Sequence, residues 1–418
     1  MHSLPRITGR GNQSTIPHVR YRIVLASLLL AAPAFAGVSF ELPPLPADMK
    51  RVESRSYLLI HDLTDAEAAE AVVRMDAMAD EYARRTRDFA GRVQGKMPFI
   101  LFRHENDYLA AGAPEGSGGV FNGKVLMAIA GKRLTNRTWA TIQHEGFHQY
   151  AFQTMSRDLP AWLNEGLAEY FGEGVYCGDT FVTGGIPSFR VKSMREHFAG
   201  KEFMPIDDML ALPYEQWNGN LKGENYDQAW SMVHFLAHAD GGRYQPLFNE
   251  FIRKLSQRRP WKMAWNETFG TTSGFEQQWQ TWWQTQPDIP TPAVYAEAAA
   301  RIMAGFAARA ASQRQAFASV DDLLAAIKKR EVKSAPGDAW PVSLNDDCVA
   351  LTAGLAKADI VFAMEFPKKG QTQWPLAVTA TLKDGRVIRA TTQTRGPRAV
   401  PVTVTTKAPP TTRKAKAK

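Results

Sequence analysis

With 418 residues, 44% of them hydrophobic and 22% charged, the chain has a globular composition and is long enough for more than one domain around a large core. Its formal charge of +8 points to nucleic acid only until the charges are located. Arg6, Arg10, Arg20 and Arg22 lie in the first 36 residues, and Arg395, Arg398, Lys407, Arg413, Lys414, Lys416 and Lys418 lie from residue 395 onward, with no acid in either stretch. The body between them carries −3, which gives no indication of a basic groove and argues against nucleic-acid binding by the body.

Arg20 and Arg22 precede an uncharged run, Ile23 to Ala32, which leads into Ala34-Phe35-Ala36. A basic n-region, a short apolar h-region and an A-x-A site predict a signal peptide over residues 1–36, cleaved after Ala36. The run falls short of the roughly 20 residues that a membrane span needs. No later stretch is apolar enough to span, so the mature protein is expected to be exported, periplasmic or secreted, without a membrane span. Cys177 and Cys348 are the two cysteines. Two readings stay open for them: one disulfide tying the middle of the chain to its C-terminal part, or two buried free thiols.

Residues 41–50 read as a Pro-rich extended lead-in, and Ser54–His61 as a strand. Thr64–Phe89 reads as an amphipathic helix, capped by Thr64 with Glu67 as box partner, with Ala66, Ala69, Val73, Met75 and Tyr82 at helical spacing. Met97–Arg103 is continuously apolar, as a central strand would be. A short helix over Asn106–Ala111 and a Gly-rich turn over Pro114–Gly119 follow. Gly119–Ala130 forms a bent strand or hairpin around Asn122-Gly123. This order predicts a small mixed sheet with one covering helix.

A helix is then expected from about Asn136 to Gln153, capped by Thr135 or Asn136, with Trp139, Ile142, Phe147 and Tyr150 as apolar contacts. Pro160 opens the next helix, with Asp158 as cap, and that helix stops near Gly172. Gly174–Arg190 reads as a loop holding Cys177. Helices are expected over Val191–Phe198, Pro205–Leu212, Tyr226–Ala239, Tyr244–Gln257 and Phe275–Gln286.

Three prolines in Pro287–Pro292 mark a boundary, and residues 287–338 read as linker and Ala-rich helix. Residues 339–394 read as a small β-rich appendage, with strands over Cys348–Thr352, Asp359–Phe366, Trp374–Leu382 and Arg386–Gln393. Residues 395–418, rich in Pro, Thr and Lys, are expected to form a basic disordered tail. The fold class is therefore α+β: a small mixed sheet, a mainly helical core and a C-terminal antiparallel β appendage.

Two features within residues 141–171 carry chemistry. His144-Glu145-Gly146-Phe147-His148 is an H-E-x-x-H motif, whose two imidazoles stack on one helix face and can reach one metal ion. Glu145 sits where a carboxylate can take a proton from the attacking water. A catalytic zinc takes three protein ligands and keeps one position open, and Glu165, on a neighbouring antiparallel helix, is a simple source of the third. A closed structural site is disfavoured, because such sites use four ligands, mostly Cys and His.

His144-Glu145-x-x-His148 followed by Trp162-Leu163-Asn164-Glu165-Gly166-Leu167-Ala168 resembles the gluzincins, zinc peptidases of the thermolysin and leukotriene-hydrolase aminopeptidase type. It is similar also to bacterial exported proteins of the same peptidase MA-like superfamily that show W-L-x-E-G-L-A-E-Y-F and a later Tyr-containing helix. The resemblance covers roughly Ser54 to Gln286, assigned as the metallopeptidase domain over residues 37–286, and implies a zincin, thermolysin-like core. It implies that His144, His148 and Glu165 bind Zn2+ and that Glu145 polarises the water. It implies too that Glu169 is a second carboxylate hydrogen-bonded to a ligand imidazole, that of His144, and that Tyr226 faces the developing oxyanion, with His234 as runner-up. His61, His104 and His238 lack a partner pattern and read as structural or surface residues.

The aminopeptidase branch carries an acidic G-x-M-E-N strand. The corresponding Gly118-Gly119-Val120-Phe121-Asn122 has no acid, which favours internal cleavage. Its edge can pair with an extended peptide. The expected function is zinc-dependent peptide-bond hydrolysis by an exported metalloprotease, an endopeptidase acting on peptide or protein substrates. The alternative is a catalytically inactive cell-envelope binding or scaffold protein on a peptidase fold, whose basic tail contacts acidic envelope polymers.

Overall fold

The structure, a computed structural model, describes residues 42–155, 159–220, 223–338, 340–366, 377–392, 394–395, 398–399 and 401–408. The expected signal peptide, the Asp158 cap and the basic residues from Arg413 onward lie outside them. Among the described residues no helix is long and apolar enough to cross a membrane.

A five-stranded mixed sheet opens the fold. Strands β1 (Lys50–Glu53) and β2 (Tyr57–His61) pair antiparallel. After α1 (Asp65–Thr86) the chain returns as β3 (Met97–Phe102), parallel to β2. Helix α2 (Glu105–Ala110) leads to the hairpin of β4 (Gly119–Phe121) and β5 (Leu126–Ile129), and β5 lies parallel to β3. The order β1-β2-β3-β5-β4 leaves β4 on an edge, and β1 adds a strand between the expected lead-in and the expected Ser54–His61 strand.

Every residue of β3 is buried, because both faces of the sheet are covered. Alternation sends Leu59, Phe99, Leu101, Leu126 and Ala128 to the main core. It sends Ile60, Ile100, Phe102, Val120 and Met127 to a smaller one with Tyr108 of α2. On α1 the Thr64–Glu67 capping box forms as expected. The core stripe, however, runs through Ala68, Ala71, Met75, Met78 and Tyr82, while Ala66 and Ala69 face outward. Alanine fits either face, so it cannot fix the helix's rotation.

Helices α3 (Asn136–Thr154) and α4 (Ala161–Gly172) follow, α3 capped by the Thr135 hydroxyl. The Gln143 amide clamps the end of α4, donating to Phe171 O at 3.2 Å and Gly172 O at 3.1 Å. The expected loop after α4 contains a small hairpin, β6 (Val175–Tyr176) and β7 (Phe181–Val182).

Seven helices continue the chain: α5 (Ser188–Gly200), α6 (Ile206–Ala211), α7 (Tyr214–Asn220), α8 (Gly223–Gly242), α9 (Gln245–Ser256), α10 (Trp261–Phe269) and α11 (Thr272–Gln284). Regular turns of α8 end before Ala239, whose backbone is extended, and left-handed Asp240 and Gly241 follow. The short α7 and α10 were not expected, since 7 and 9 residues show too little periodicity to read. Trp162, Phe251, Trp265, Trp279 and Trp283 fill the helical core.

Beyond Pro287 come α12 (Pro292–Ser312), α13 (Val320–Lys329) and α14 (Ser343–Ala356), then a second, wholly antiparallel sheet. Its strands are β8 (Val361–Glu365), β9 (Ala377–Thr381), β10 (Val387–Thr391) and, after the two-residue pair β11 (Thr394–Arg395) and β12 (Arg398–Ala399), β13 (Thr403–Lys407). The order is β13-β10-β9-β8.

Two expectations are corrected. Cys348–Thr352 is helix, because Leu344, Cys348, Leu351 and Leu355 recur at helical spacing although Val349 and Thr352 suggest a strand. Thr403–Lys407 is a strand rather than disordered tail, since β10 offers an open edge and these residues are mostly β-branched. Cys177 and Cys348 are both buried free thiols.

The C-terminal elements are bound into the rest of the molecule. Val402 N donates to Asp179 Oδ2 at 2.9 Å, Asn136 Nδ2 to Asp347 Oδ1 at 2.6 Å and Ser343 Oγ to Glu70 Oε1 at 2.7 Å. The Trp340 ring fills the space that side chains at Gly178 and Gly305 would need, and Arg309 stacks over it at 3.5 Å.

Candidate metal centre

Two histidines one turn apart on α3 face Glu165 on α4. The Nε2 atoms of His144 and His148 lie 3.1 Å apart, and each is 3.5 Å from Glu165 Oε2. All three residues are buried, and their ligand atoms fall within 4.8 Å of one another. At 3.5 Å the imidazole–carboxylate contacts are too long for strong hydrogen bonds, and Glu165 Oε2 has no hydrogen-bond partner. A buried carboxylate oxygen left without a partner costs free energy unless a cation completes it. This group could bind a metal ion, and two nitrogen donors with one carboxylate suit a first-row transition metal.

Close backbone approach creates this geometry. A Cβ on Gly166 would lie 2.5 Å from Ala229 O, so α4 packs against α8 at a distance only glycine permits. On the other side, a Cβ on Gly119 would meet Thr141 Cγ2 at 2.9 Å, and this brings β4 onto α3. Across that contact Phe121 N donates to Glu145 Oε2 at 2.8 Å. Glu145 is thus buried beside the two histidines, with one oxygen fixed by the edge strand.

The electrostatics separate the carboxylates. Burial raises Glu145 above the usual carboxylate range, with His144 and His148 only partly offsetting it. For Glu165 burial works the same way, but His148 and His144 outweigh it and hold the carboxyl at about 2. Burial likewise opposes ionisation of Glu169, yet the Arg190 guanidinium and His144 bring it to about 2. Burial lowers the His144 imidazole, and the Glu165 and Glu169 carboxylates reverse this and hold it well above its ordinary value. Metal binding here would displace that proton.

Glu169 Oε1 sits 3.2 Å from His144 Nδ1, whereas His148 Nδ1 has no hydrogen-bond partner. Tyr226, near the start of α8, is half-buried with its ring edge-on to Trp217 at 5.3 Å. Burial raises its phenol, and the Glu165 carboxylate adds to this. His234 goes elsewhere: it faces Gly184 O at 3.1 Å among Trp230, Trp282 and Trp283, and burial lowers it to about 4. His61 accepts from Leu63 N, His104 precedes α2 without a side-chain capping bond, and His238 contacts the Tyr170 hydroxyl at 2.9 Å.

Three residues near the centre escaped the sequence reading. Burial and the Glu165 carboxylate both raise the Tyr214 phenol on α7. Arg190 on α5 pairs with Glu169, Glu173 and Asp227, and Asp227 follows Tyr226 directly. No local spacing marks them, because their partners lie on other helices.

A protein family described as one of unknown function, DUF1570, matches residues 138–262. That stretch holds His144, Glu145, His148, Glu165, Glu169, Arg190, Tyr226 and Asp227, and leaves out the five-stranded and the four-stranded sheet. No curated protein matches the chain.

Proposed function

We propose that the chain is an exported, zinc-dependent endopeptidase built on a zincin-like core. His144, His148 and Glu165 would hold the metal, a ligand set of the kind that leaves one position open. Zinc bound there supplies Lewis acidity toward a carbonyl oxygen and lowers the pKa of water. Glu145 takes a proton from the attacking water and hands it to the leaving amine, and a carboxyl raised by burial suits both transfers. Tyr226 donates a hydrogen bond to the carbonyl oxygen as it gains charge. The open edge of β4, beside Glu145, receives an extended peptide, and its lack of acid leaves no grip for a free amine.

One observation carries this reading: Glu145, buried beside the three ligand atoms, is held by the edge strand's Phe121 N–H. A relic scaffold has no use for a carboxylate kept in that place. The test combines metal analysis with peptide-library cleavage, on wild type and Glu145→Gln. About one zinc per chain is expected in both, with hydrolysis lost in the variant. Wild-type protein that takes up no zinc, or cleavage unchanged by Glu145→Gln, sinks the proposal.

A further inference from the structure

Beyond the three metal ligands and Glu169, a buried ionic cluster joins α4, α5 and α8 around one guanidinium. Arg190 Nε donates to Glu173 Oε1 at 2.9 Å, Nη1 to Asp227 Oδ1, and Nη2 to Glu169 Oε2. The guanidinium stacks on the Trp230 ring at 4.9 Å and lies 5.6 Å from that of Phe189. Asp227 Oδ2 in turn accepts from Ser193 Oγ at 2.5 Å and lies 3.0 Å from His197 Nε2, while His197 Nδ1 is 2.6 Å from Glu202. An unbroken chain of polar contacts thus runs from His144 Nδ1 through Glu169, Arg190 and Asp227 to His197.

We infer that Arg190 is a positioning residue for the metal centre: by fixing Glu169 it fixes the orientation and tautomer of the His144 ring. The inference rests on the metal-binding reading above. Its physical basis is geometry. Glu169 has one oxygen on His144 and the other on Arg190, so the carboxylate cannot rotate without losing both. The planar fork is itself held at two further corners by Glu173 and Asp227 and on its face by Trp230. A lysine ammonium is a point charge and cannot hold three carboxylates on two helices at once. Burial opposes the charge on Arg190, but Glu169, Glu173 and Asp227 outweigh it and keep the guanidinium protonated.

The asymmetry between the two histidines sharpens the point. His148 Nδ1 has no hydrogen-bond partner, so orientation from the outer groups reaches the centre through His144. Groups that orient a ligand histidine are worth about 10- to 100-fold in metal affinity when removed.

The test is zinc affinity of the full chain, by competition with a chelator of known strength, for wild type, Arg190→Lys, Glu169→Gln and the double variant. Arg190→Lys is expected to weaken zinc about tenfold, and to add nothing in the Glu169→Gln background, because Arg190 acts through that carboxylate. Cobalt absorption bands should shift in Arg190→Lys and in Glu169→Gln alike. If Arg190→Lys does not fold, Asp227→Asn, which keeps the Arg190–Glu169 pair but frees the fork's other end, takes its place in the same cycle. A several-fold loss confined to the Glu169 background is then expected. Wild type that binds zinc, with variants that bind equally well or lose affinity multiplicatively, overturns this inference alone. Wild type that binds no metal overturns the metal reading and this inference with it.

Discussion

Gly119 and Thr141 meet where the edge strand touches the motif helix, so closely that a single added methyl on the glycine would lie 2.9 Å from Thr141 Cγ2. That contact holds β4 against α3 and keeps Phe121 N within reach of Glu145. Gly119→Ala should lower stability by about 1–3 kcal/mol, the usual cost of overpacking. Thr141→Ser removes the obstructing methyl and should restore most of the loss. Thermal melts of the two single variants and the pair check this. If the pair melts no higher than Gly119→Ala, the contact is not the cause.

Gly166→Ala should be worse. Its added Cβ would lie 2.5 Å from the Ala229 carbonyl oxygen, and backbone cannot move aside as a side-chain tip can. A loss at or above the upper end of about 1–3 kcal/mol is expected, with zinc uptake reduced as α4 is pushed from α8. Melting and metal content like those of wild type would show that the helices can part freely.

The His197 imidazole makes stability depend on pH. Its hydrogen bond to Asp227 raises it to about 9, with burial opposing and Glu202 adding to the rise. Below the ordinary value of 6.5, folded and unfolded chains both hold the proton and the contribution is complete. As pH climbs toward 9 the unfolded chain has lost the proton and the folded chain still binds it, so this contribution falls away. Melting temperature of wild type minus that of His197→Gln should therefore shrink from pH 6.5 to 9. A constant difference across that window would rule out the ion pair as its source.

Trp340 pegs α12 to the turn of the β6–β7 hairpin. Trp340→Ala should cost about 3 kcal/mol, the lower end for emptying an aromatic site. It should also speed proteolysis of the segment beyond residue 340 relative to the core. Uniform proteolysis of the whole chain would argue against a peg.

The proposed export has a direct readout. N-terminal sequencing of protein recovered outside the cytoplasm should begin at Gly37. Material that keeps Ile23 to Ala32 would contradict cleavage after Ala36.

The centre was legible where the signal is local. His144, Glu145 and His148 lie within two helical turns, and Pro160 and the length of α4 place Glu165 opposite them. Legibility ended where partners are far apart in sequence. Arg190 looked like the end of a loop, and its three carboxylates sit on α4 and α8, so their meeting is a tertiary fact without a spacing. The same limit explains α14 and β13. Val349 and Thr352 favour strand locally, yet packing of Leu344, Cys348 and Leu355 selects helix. Thr403–Lys407 carries too little apolar surface to suggest order, until the free edge of β10 supplies its hydrogen bonds.

The bonds from Val402 to Asp179 and from Ser343 to Glu70 span 223 and 273 residues. Loops of that size close slowly, because most of the chain must be in place before either contact repays its entropy. On the ribosome, the hairpin that follows α4 and the outer face of α1 therefore wait for residues made long after them. A partly synthesised chain carries the whole H-E-x-x-H motif while Asn136, at the start of the same helix, still lacks its partner Asp347.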